Sequence, residues 1–165
     1  MIEIINTGGT FNKRYNPLNG ELEVPNDYKV IKKILKKSIF INQKIKLTQI
    51  ISKDSLEFNK KDRKLLAKTI KNSKAKKIIV IHGTDTMNKS AKFIAKRVGN
   101  KVVIFTGAMK PFEIEKIEAV SNLMMAIGFS INAKKGIYIS MHGIVKSYNK
   151  IMKNYKKGVF YVKNN

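Results

Sequence analysis

Short apolar runs alternate with amphipathic stretches along nearly the whole chain. Five apolar runs have the length of strands and are predicted as strands: 2–7, 45–51, 77–82, 101–106 and 136–141. Four stretches between them carry apolar residues at helical spacing and are predicted as helices: 28–38, 60–73, 88–98 and 117–131. The tail is expected to add a last short strand over 155–162. The continuous Ile-Ile-Val-Ile run within 77–82 is typical of a central parallel strand that is buried on both faces.

This alternation predicts an α/β fold with three α/β/α layers. Strands that alternate with helices imply a mostly parallel, doubly wound sheet with helices on both faces, as in Rossmann-like and flavodoxin-like folds. The 165 residues, 43% of them hydrophobic, suit a single domain over 1–165. Such sheets bind ligands in the loops beyond the carboxyl ends of their strands. Four of these loops are rich in Gly, Thr, Ser and Asp: 7–15, 52–56, 82–87 and 106–111.

The composition removes several classes of function. The chain has no Cys and 2 His, which excludes disulfides and thiolate metal sites and leaves little for any other metal centre. The N-terminus lacks the pattern of a secretory signal, and no apolar run approaches the roughly 20 residues of a membrane helix. We therefore expect a soluble, cytoplasmic protein without a metal site or a membrane partner.

The net charge of +23 admits two interpretations. A strongly basic protein can bind nucleic acid or another anionic surface, because neutralising phosphates releases counterions. Alternatively, Lys simply fills the solvated faces of the helices. The Lys residues are dispersed through nearly every segment, and no RNA-binding aromatic motif, zinc finger or helix-turn-helix is evident. The second interpretation is favoured, and nucleic-acid binding is kept as the weaker alternative.

The first candidate loop, Thr7-Gly8-Gly9-Thr10, directly follows the first predicted strand. Its two glycines permit backbone angles and close approaches that other residues resist, and they present Thr10 at the end of the strand. Taken alone, Gly-Gly after a strand is more often just a turn. Neither a phosphate-binding Gly-Lys-Ser/Thr nor a dinucleotide-binding G-x-G-x-x-G pattern is present. The loop therefore offers a hydroxyl and no phosphate cradle.

The second candidate loop, His82-Gly83-Thr84-Asp85-Thr86-Met87, follows the most apolar strand and precedes a helix. One interpretation is structural, with Thr84 or Asp85 capping that helix. The other is chemical, because a Thr hydroxyl beside a carboxylate can relay a proton or bind an ammonium group. His82 is interpreted as structural, since it and His142 stand isolated and make a poor metal site.

Taken together and in this order, T-G-G-T and H-G-T-D-T-M resemble the paired motifs of the bacterial-type L-asparaginase (asparaginase/glutaminase) family. Three further stretches are similar to those of the family: Gly107-Ala108-Met109-Lys110-Pro111, Ser121-Asn122-Leu123 and the substrate-loop position Ser52-Lys53-Asp54-Ser55. The resemblance runs from Met1 to about Asn154. It corresponds to the family's N-terminal domain without the C-terminal domain, and it implies the same three-layer fold.

The resemblance also implies a set of catalytic residues: Thr10, Tyr15, Thr84, Asp85 and Lys153. It places Tyr15 in a mobile lid over 11–23 that closes on the site. The relay lysine is assigned to Lys153, with Lys146 and Lys150 as rivals. Contacts with the substrate are implied for a further set: Gly9, Ser52, Lys53, Asp54, Gly83 and Ala108.

The implied reaction hydrolyses the side-chain amide of asparagine, or of a related small amide such as glutamine, to the acid and ammonia. Thr10 is the nucleophile of an acyl-enzyme pathway that needs no metal or organic cofactor. Thr84 acts with the lysine, Asp85 helps to hold the substrate's amino group, and Ser52 contacts its carboxylate. Active sites of the family form between subunits, so a homo-oligomer is expected.

Three departures from the family leave an alternative open. Phe11 follows T-G-G-T where the family usually has Ile, and Lys53 stands where it has Gln. The resemblance does not extend to the family's C-terminal domain, which in the family contributes polar groups around the substrate's amino group, so we expect a site without those groups. The alternative is a catalytically weak or inactive amino-acid-binding or regulatory domain that keeps the pocket.

Overall fold

The computed structural model describes residues 1–38 and 43–163, which form ten strands and four helices. The strands are β1 Ile2–Gly8, β2 Arg14–Asn16, β3 Glu21–Glu23, β4 Ile45–Lys53, β5 Lys77–Ile81, β6 Val102–Thr106, β7 Gly136–Met141, β8 Ile144–Ser147, β9 Ile151–Asn154 and β10 Val159–Val162. The helices are α1 Lys29–Lys37, α2 Lys60–Asn72, α3 Met87–Ala95 and α4 Lys116–Asn132. Short 3₁₀ turns, Thr10–Asn12 and Ser55–Glu57, follow β1 and β4.

Six strands form the main sheet, in the order β4-β1-β5-β6-β7-β8. The first five are parallel to their neighbours, and β8 pairs with β7 in the antiparallel sense. The central strands β5 and β6 are buried almost throughout because their sequences are continuous apolar runs. The mostly parallel, doubly wound sheet expected from the sequence is confirmed.

Helices cover both faces of this sheet. Successive side chains of a strand point to opposite faces, so Ile4 of β1 packs under α1 and α4, whereas Ile5 packs under α2 and α3. Ile31 of α1 and Leu123 of α4 are fully buried on the first face, as Leu66 of α2 is on the second. The three α/β/α layers predicted from the sequence are present in a single domain.

The order of the strands brings the two motif loops together. Strands β1 and β5 are direct neighbours and run parallel, so T-G-G-T and H-G-T-D-T-M leave the same edge of the sheet side by side. Two small hairpins lie outside the main sheet, β2–β3 after the first motif and β9–β10 at the end of the chain. The second hairpin is fixed to the body because Ile151 and Phe160 are buried in the core under α2 and α3.

Several short elements differ from the sequence-based expectations. Strands β2, β3, β8 and β9 were not predicted, because each has three or four residues and none carries a long apolar run. The strand predicted over 155–162 is a turn followed by β10, which begins at Val159. Strand β4 continues to Lys53, beyond the predicted end at residue 51, and α3 ends at Ala95 rather than at residue 98, where the polar Lys96 and Arg97 follow.

The positive charge of the helices lies on their outer faces. Every Lys of α2 is exposed to solvent: Lys60, Lys61, Lys64, Lys68 and Lys71. On the same helix Leu66 and Ile70 are fully buried. This placement favours the interpretation that the lysines solvate the helices.

Within the described residues, no helix combines the length and the apolar character that crossing a membrane requires. Across the same residues, no three or more His, Asp or Glu side chains are grouped so that they could hold a metal ion.

Candidate active site

Glycines bring three loops of the sheet edge into direct contact. Gly9 has a φ of 79°, and a Cβ at this position would lie 2.5 Å from the nitrogen of Gly83. The backbone of the second motif therefore excludes any side chain at this point of the first. Gly83 in turn packs against Ser55, whose Oγ would lie 2.6 Å from a Cβ at Gly83. The loops after β1, β4 and β5 thus converge at one point.

A lysine from β9 joins the two polar side chains of the second motif. The Nζ of Lys153 donates to Thr84 Oγ1 at 2.8 Å and to Asp85 Oδ1 at 2.6 Å. The Lys153 side chain is 6% exposed, so these two oxygens replace water as the hydrogen-bond partners of its ammonium group. The rivals Lys146 and Lys150 are both exposed. The structure therefore places Lys153 beside the H-G-T-D motif, and its role as the relay lysine stays a prediction.

The hydroxyl of Thr84 lies between a strong donor and a weak acceptor. It accepts a hydrogen bond from Lys153 and donates to Met109 Sδ at 3.3 Å. Because a thioether is a weak acceptor, turning the Thr84 proton toward another group costs little. Tyr155 flanks the pair, with its hydroxyl 2.8 Å from the carbonyl oxygen of Asp85 and its ring centroid 5.3 Å from the Lys153 Nζ. This arrangement can share or transfer a proton at Thr84 Oγ1.

Helix α3 begins without a side-chain cap from the second motif. Its first flanking residue is Thr86, whose backbone N–H donates to Ser55 Oγ at 3.2 Å and whose hydroxyl donates to Ser55 O at 2.7 Å. The interpretation of Thr84 and Asp85 as helix caps is therefore wrong, since both side chains bind Lys153. Ser55 is fully buried and was missed as a site residue, although its loop was singled out from the sequence.

Thr10 begins the turn that follows β1 and is partly exposed. Its hydroxyl makes no hydrogen bond with any of the residues that the structure describes. The turn itself is fixed from below: the Asn12 side-chain N–H donates to Gly8 O and to Asn6 Oδ1, both at 2.9 Å. The backbone of the first motif is therefore held by hydrogen bonds, whereas the Thr10 hydroxyl that it carries has no hydrogen-bond partner among the described residues.

Tyr15 lies in the β2–β3 hairpin opposite Leu22 and is 61% exposed. Its hydroxyl bonds to none of residues 1–38 and 43–163, so the structure does not bring it to Thr10. The predicted lid also divides in two, because Phe11 is fully buried in the core whereas the residues of β3 are exposed. The closing of a lid over 11–23 and the role of Tyr15 stay predictions.

Three of the predicted substrate contacts bind neighbouring side chains: Ser52 with Asn26, Lys53 with Asp62, and Asp54 with Lys13. Burial raises the pKa of Asp54, but the hydrogen bond from Lys13, the backbone N–H of Leu56 and the charge of Lys13 together hold that pKa below its ordinary value. Asp54 is therefore an anion with a partner of its own. None of the three side chains bonds to Thr84 or Lys153 within the described residues, and their contact with a substrate stays a prediction.

The loop after β6 reaches the site through its methionine. Ala108 is 1% exposed and packs in the core cluster with Phe11 and Leu123, so any contact with a substrate falls to its backbone. The next residue, Met109, contacts Thr84. This loop was singled out from the sequence, but Met109, the residue of the loop that contacts Thr84, was not named as a site residue.

Comparison with known proteins assigns this arrangement of loops to a family. The family model described as "Asparaginase, N-terminal" matches residues 1–160, which include both motif loops and Lys153. The chain belongs to the asparaginase family. The expectation drawn from the two motifs is therefore confirmed at the level of the family.

Solved structures of asparaginases share the fold of this asparaginase-family chain. The thermostable L-asparaginase from Thermococcus kodakarensis superposes with a TM-score of 0.86 at 21% identity, over 99% of this chain and 51% of that chain. The probable cytoplasmic L-asparaginase from Campylobacter jejuni gives a TM-score of 0.80 at 24% identity, over 98% of this chain and 52% of that chain. The chain thus spans about half the length of these relatives.

Among proteins of known function, one subunit of the glutamyl-tRNA(Gln) amidotransferase from Methanococcus maripaludis (strain C7) is 33% identical over 70 residues. The matched stretch is 42% of this chain and 17% of that protein. The corresponding protein from Methanococcus vannielii is also 33% identical over 70 residues, which are 16% of its length. The similarity is therefore local, and it does not extend over the length of either relative.

His82 of this asparaginase-family domain is a neutral core group. Its ring lies between Phe58 and Phe105, with centroids 4.6 and 5.6 Å away, and Nδ1 is 2.8 Å from the Gly83 carbonyl oxygen. Nε2 is buried and has no hydrogen-bond partner among the described residues. Burial lowers the pKa of His82 from 6.5 to about 4, although the hydrogen bond with Gly83 acts in the opposite direction. The geometry agrees with the structural interpretation of this residue.

We expect His82 to make the protein lose stability in weak acid. Its pKa is lower in the folded chain than in the unfolded one, so the unfolded chain binds more protons between about pH 6.5 and 4. The contribution is complete above pH 6.5 and is lost as the pH falls through this window, by up to about 3 kcal/mol in the free energy of unfolding. Urea unfolding at a series of pH values measures it.

The matched control is His82→Asn, which keeps a donor for the Gly83 carbonyl but does not titrate in this range. Carboxylates such as Asp62 also weaken the fold in acid, since burial raises the pKa of Asp62 but the Asn59 N–H and Lys53 hold it below its ordinary value. The informative quantity is therefore the difference between wild type and variant at each pH. A difference that stays constant from pH 7 to pH 4 would contradict the expectation.

Proposed function

We propose that this asparaginase-family domain is an amidohydrolase that releases ammonia from the side-chain amide of asparagine or a related small amide. What carries the proposal is the position of the Lys153 Nζ, 2.8 Å from Thr84 Oγ1 and 2.6 Å from Asp85 Oδ1. Burying an ammonium group is costly, and a domain that needs only to fold gains little from one. The contact of Gly9 with Gly83 joins this group to the loop that carries Thr10.

In the first step Thr10 Oγ forms a bond to the amide carbonyl carbon. Its proton passes to the amide nitrogen, the carbon–nitrogen bond breaks, and ammonia leaves. In the second step a water oxygen forms a bond to the same carbon, Thr10 Oγ departs and regains a proton, and the acid is released. Both steps need a group that moves a proton beside the carbonyl, and Thr84 with Lys153 supplies it. Tyr15 would assist Thr10 after closure of the hairpin.

The charge pattern suits a zwitterionic substrate. The Asp85 side chain is 32% exposed, so it can pair with Lys153 and still meet an ammonium group from solvent. Backbone N–H groups near Gly9 and Thr84 would bind the oxyanion that forms at the carbonyl. We keep Ser52, Lys53 and Asp54 as candidate contacts for the carboxylate, by family resemblance, although their described partners lie elsewhere.

A second candidate function is an amino-acid-binding domain with little or no turnover. One observation favours it: the Thr10 hydroxyl has no hydrogen-bond partner, and so no base, within the described residues. Tyr15, which the family resemblance assigns to Thr10, is 61% exposed in the hairpin. A poor nucleophile without a base would leave a pocket that binds an amino acid and does not react with it.

Ammonia release from asparagine, glutamine and small peptide amides separates the two candidates, with Thr10→Ala as the blank and calorimetric binding of aspartate beside it. Release by the wild type that the variant lacks supports the amidohydrolase. Binding without release supports the second candidate. Neither release nor binding would overturn both.

A further inference from the structure

Glu118, near the start of α4, holds the loop that follows β6. Its Oε1 accepts a hydrogen bond from the backbone N–H of Met109 at 2.8 Å, and its Oε2 accepts one from that of Lys110 at 3.1 Å. Met109 is the residue whose sulfur accepts a hydrogen bond from the Thr84 hydroxyl. The carboxylate of Glu118 therefore fixes the backbone of Met109, one of the two residues whose side chains contact the Thr84 hydroxyl.

The same carboxylate binds His142, which follows β7. The Nε2 of His142 lies 2.9 Å from Glu118 Oε1, and its Nδ1 lies 3.2 Å from the backbone nitrogen of Phe160. Because the Phe160 N–H is a donor, Nδ1 accepts a hydrogen bond from it, and the protonated Nε2 donates one to Glu118 Oε1. His142 has a φ of 52°, which a non-glycine residue adopts only at a cost, and Asn122 Oδ1 accepts its backbone N–H at 3.0 Å.

Phe160 is the residue of β10 that stands directly opposite Lys153 of β9. The β9–β10 hairpin forms a sheet of its own, so strand pairing with the main sheet does not fix the position of Lys153 relative to that sheet. The bond from Phe160 to His142 is a tie between this hairpin and the end of β7. Asn88 supplies a further tie, through its hydrogen bond to Ile151 O at 2.7 Å.

We propose that Glu118 and His142 act together as positioning residues that align Lys153 and Met109 on the Thr84 hydroxyl. One carboxylate oxygen of Glu118 links the two residues, since Oε1 accepts hydrogen bonds from both Met109 and His142. On one side, Glu118 holds the backbone of Met109, whose sulfur contacts Thr84. On the other side, His142 holds Phe160 of the β9–β10 hairpin, and Lys153 of the same hairpin donates to Thr84. Neither residue contacts Thr84 itself within the described part of the chain.

The proposal rests on the proposed function for its effect on rate, but its geometric part is separate. A lysine held in place and shielded reacts slowly with an amine-modifying reagent, and Lys153 is 9% exposed. Lys146, on the neighbouring strand β8, is exposed and serves as an internal control. Mass spectrometry after brief acetylation reports the modification of both lysines in one sample.

The test compares His142→Gly with His142→Asn. Glycine removes the ring and accepts the positive φ without strain, whereas Asn tolerates this φ and offers an oxygen where Nδ1 stood. We expect acetylation of Lys153 to rise several-fold in His142→Gly and less in His142→Asn, with Lys146 unchanged in both. With an active wild type, kcat should fall about tenfold in His142→Gly with KM little changed, as expected for misplacement of a proton-transfer group.

Acetylation of Lys153 that is equal in wild type and folded His142→Gly would overturn the proposal. If the wild type hydrolyses no amide, the acetylation result still decides the positioning role, and the proposed function fails separately. If His142→Gly does not fold, Glu118→Gln carries the test, because an amide has one acceptor oxygen and cannot serve all three donors. Increased acetylation of Lys153 in that variant supports the proposal, and unchanged acetylation overturns it.

Discussion

Replacing Lys153 with Met is expected to lower kcat for ammonia release about 1,000-fold, within the range that positioned proton transfer contributes. Met has a similar length and fills the same buried space, but it donates no hydrogen bond to Thr84 Oγ1 or Asp85 Oδ1. The hydroxyl of Thr84 would then keep only its weak contact with the sulfur of Met109 among the described residues. Steady-state ammonia release with asparagine, at saturating concentrations, measures the loss.

The rival lysines give matched controls from the same region. Lys146→Met and Lys150→Met change exposed residues, so kcat should stay within about twofold of wild type. Urea unfolding checks that Lys153→Met remains folded; Asp85, with its side chain 32% exposed, can regain water when its partner is removed. A folded Lys153→Met enzyme that keeps kcat within about tenfold of wild type would contradict a role of Lys153 in proton transfer through Thr84.

A double variant tests whether Thr84 and Lys153 act as one unit. If the lysine works through the threonine hydroxyl, adding Thr84→Val to Lys153→Met should cost little beyond the single change. Residues that act together show such non-additive losses, whereas independent contributions multiply. If the double variant loses kcat by the product of the two single losses, Thr84 and Lys153 contribute independently, and the expectation that they act as one unit is contradicted.

The sheet was predictable because its signal lies in the sequence itself. The Ile-Ile-Val-Ile run of β5 and the apolar β6 have the length and the continuous apolar character of strands that are buried on both faces of a parallel sheet. The hairpin β2–β3 carries no such signal, since Arg14-Tyr15-Asn16 and Glu21-Leu22-Glu23 are short and largely exposed. Its strands are held by local pairing, which apolar periodicity does not report.

The lysine that contacts Thr84 illustrates a signal that was present in the sequence but did not decide between the candidates. Three lysines fall between residues 146 and 153, and resemblance alone left them as rivals. Alternation along β9 places Lys153 on the buried side of the strand together with Ile151, while Met152 is partly exposed. The hairpin that sets this register was not predicted, so the alternation could not be applied.

The end of β4 shows the same limit of a boundary predicted from apolar periodicity. Strand β4 runs through Lys53, so Ser52 is still a strand residue and its hydroxyl bonds to Asn26. Ser55 lies in the turn beyond the strand, where it meets Gly83 and Thr86. The predicted loop began two residues too early because Ser52 and Lys53 still belong to β4, and the role of Ser52 toward a substrate stays a prediction.

Replacing Thr10 with Ala is expected to reduce ammonia release at least about 1,000-fold, because loss of a nucleophile removes the covalent pathway altogether. Thr10→Ser keeps a hydroxyl at the same position and should retain far more activity than Thr10→Ala. The turn itself should survive in both, since Asn12 holds it through Gly8 O and Asn6 Oδ1 without using the Thr10 side chain. Ammonia release at equal protein concentration compares the three proteins.

The competing nucleophile is Thr84, whose hydroxyl already contacts a lysine at 2.8 Å. Both threonines would give inactive variants if each is needed, so rate alone cannot separate them. The position of the acyl group in the covalent intermediate identifies the nucleophile. After rapid acid quenching, mass spectrometry should find the added mass of the acyl group on the peptide that contains Thr10. An adduct on the Thr84 peptide would reverse the two roles. Thr84 would then be the activated hydroxyl and Thr10 a group that only lines the site.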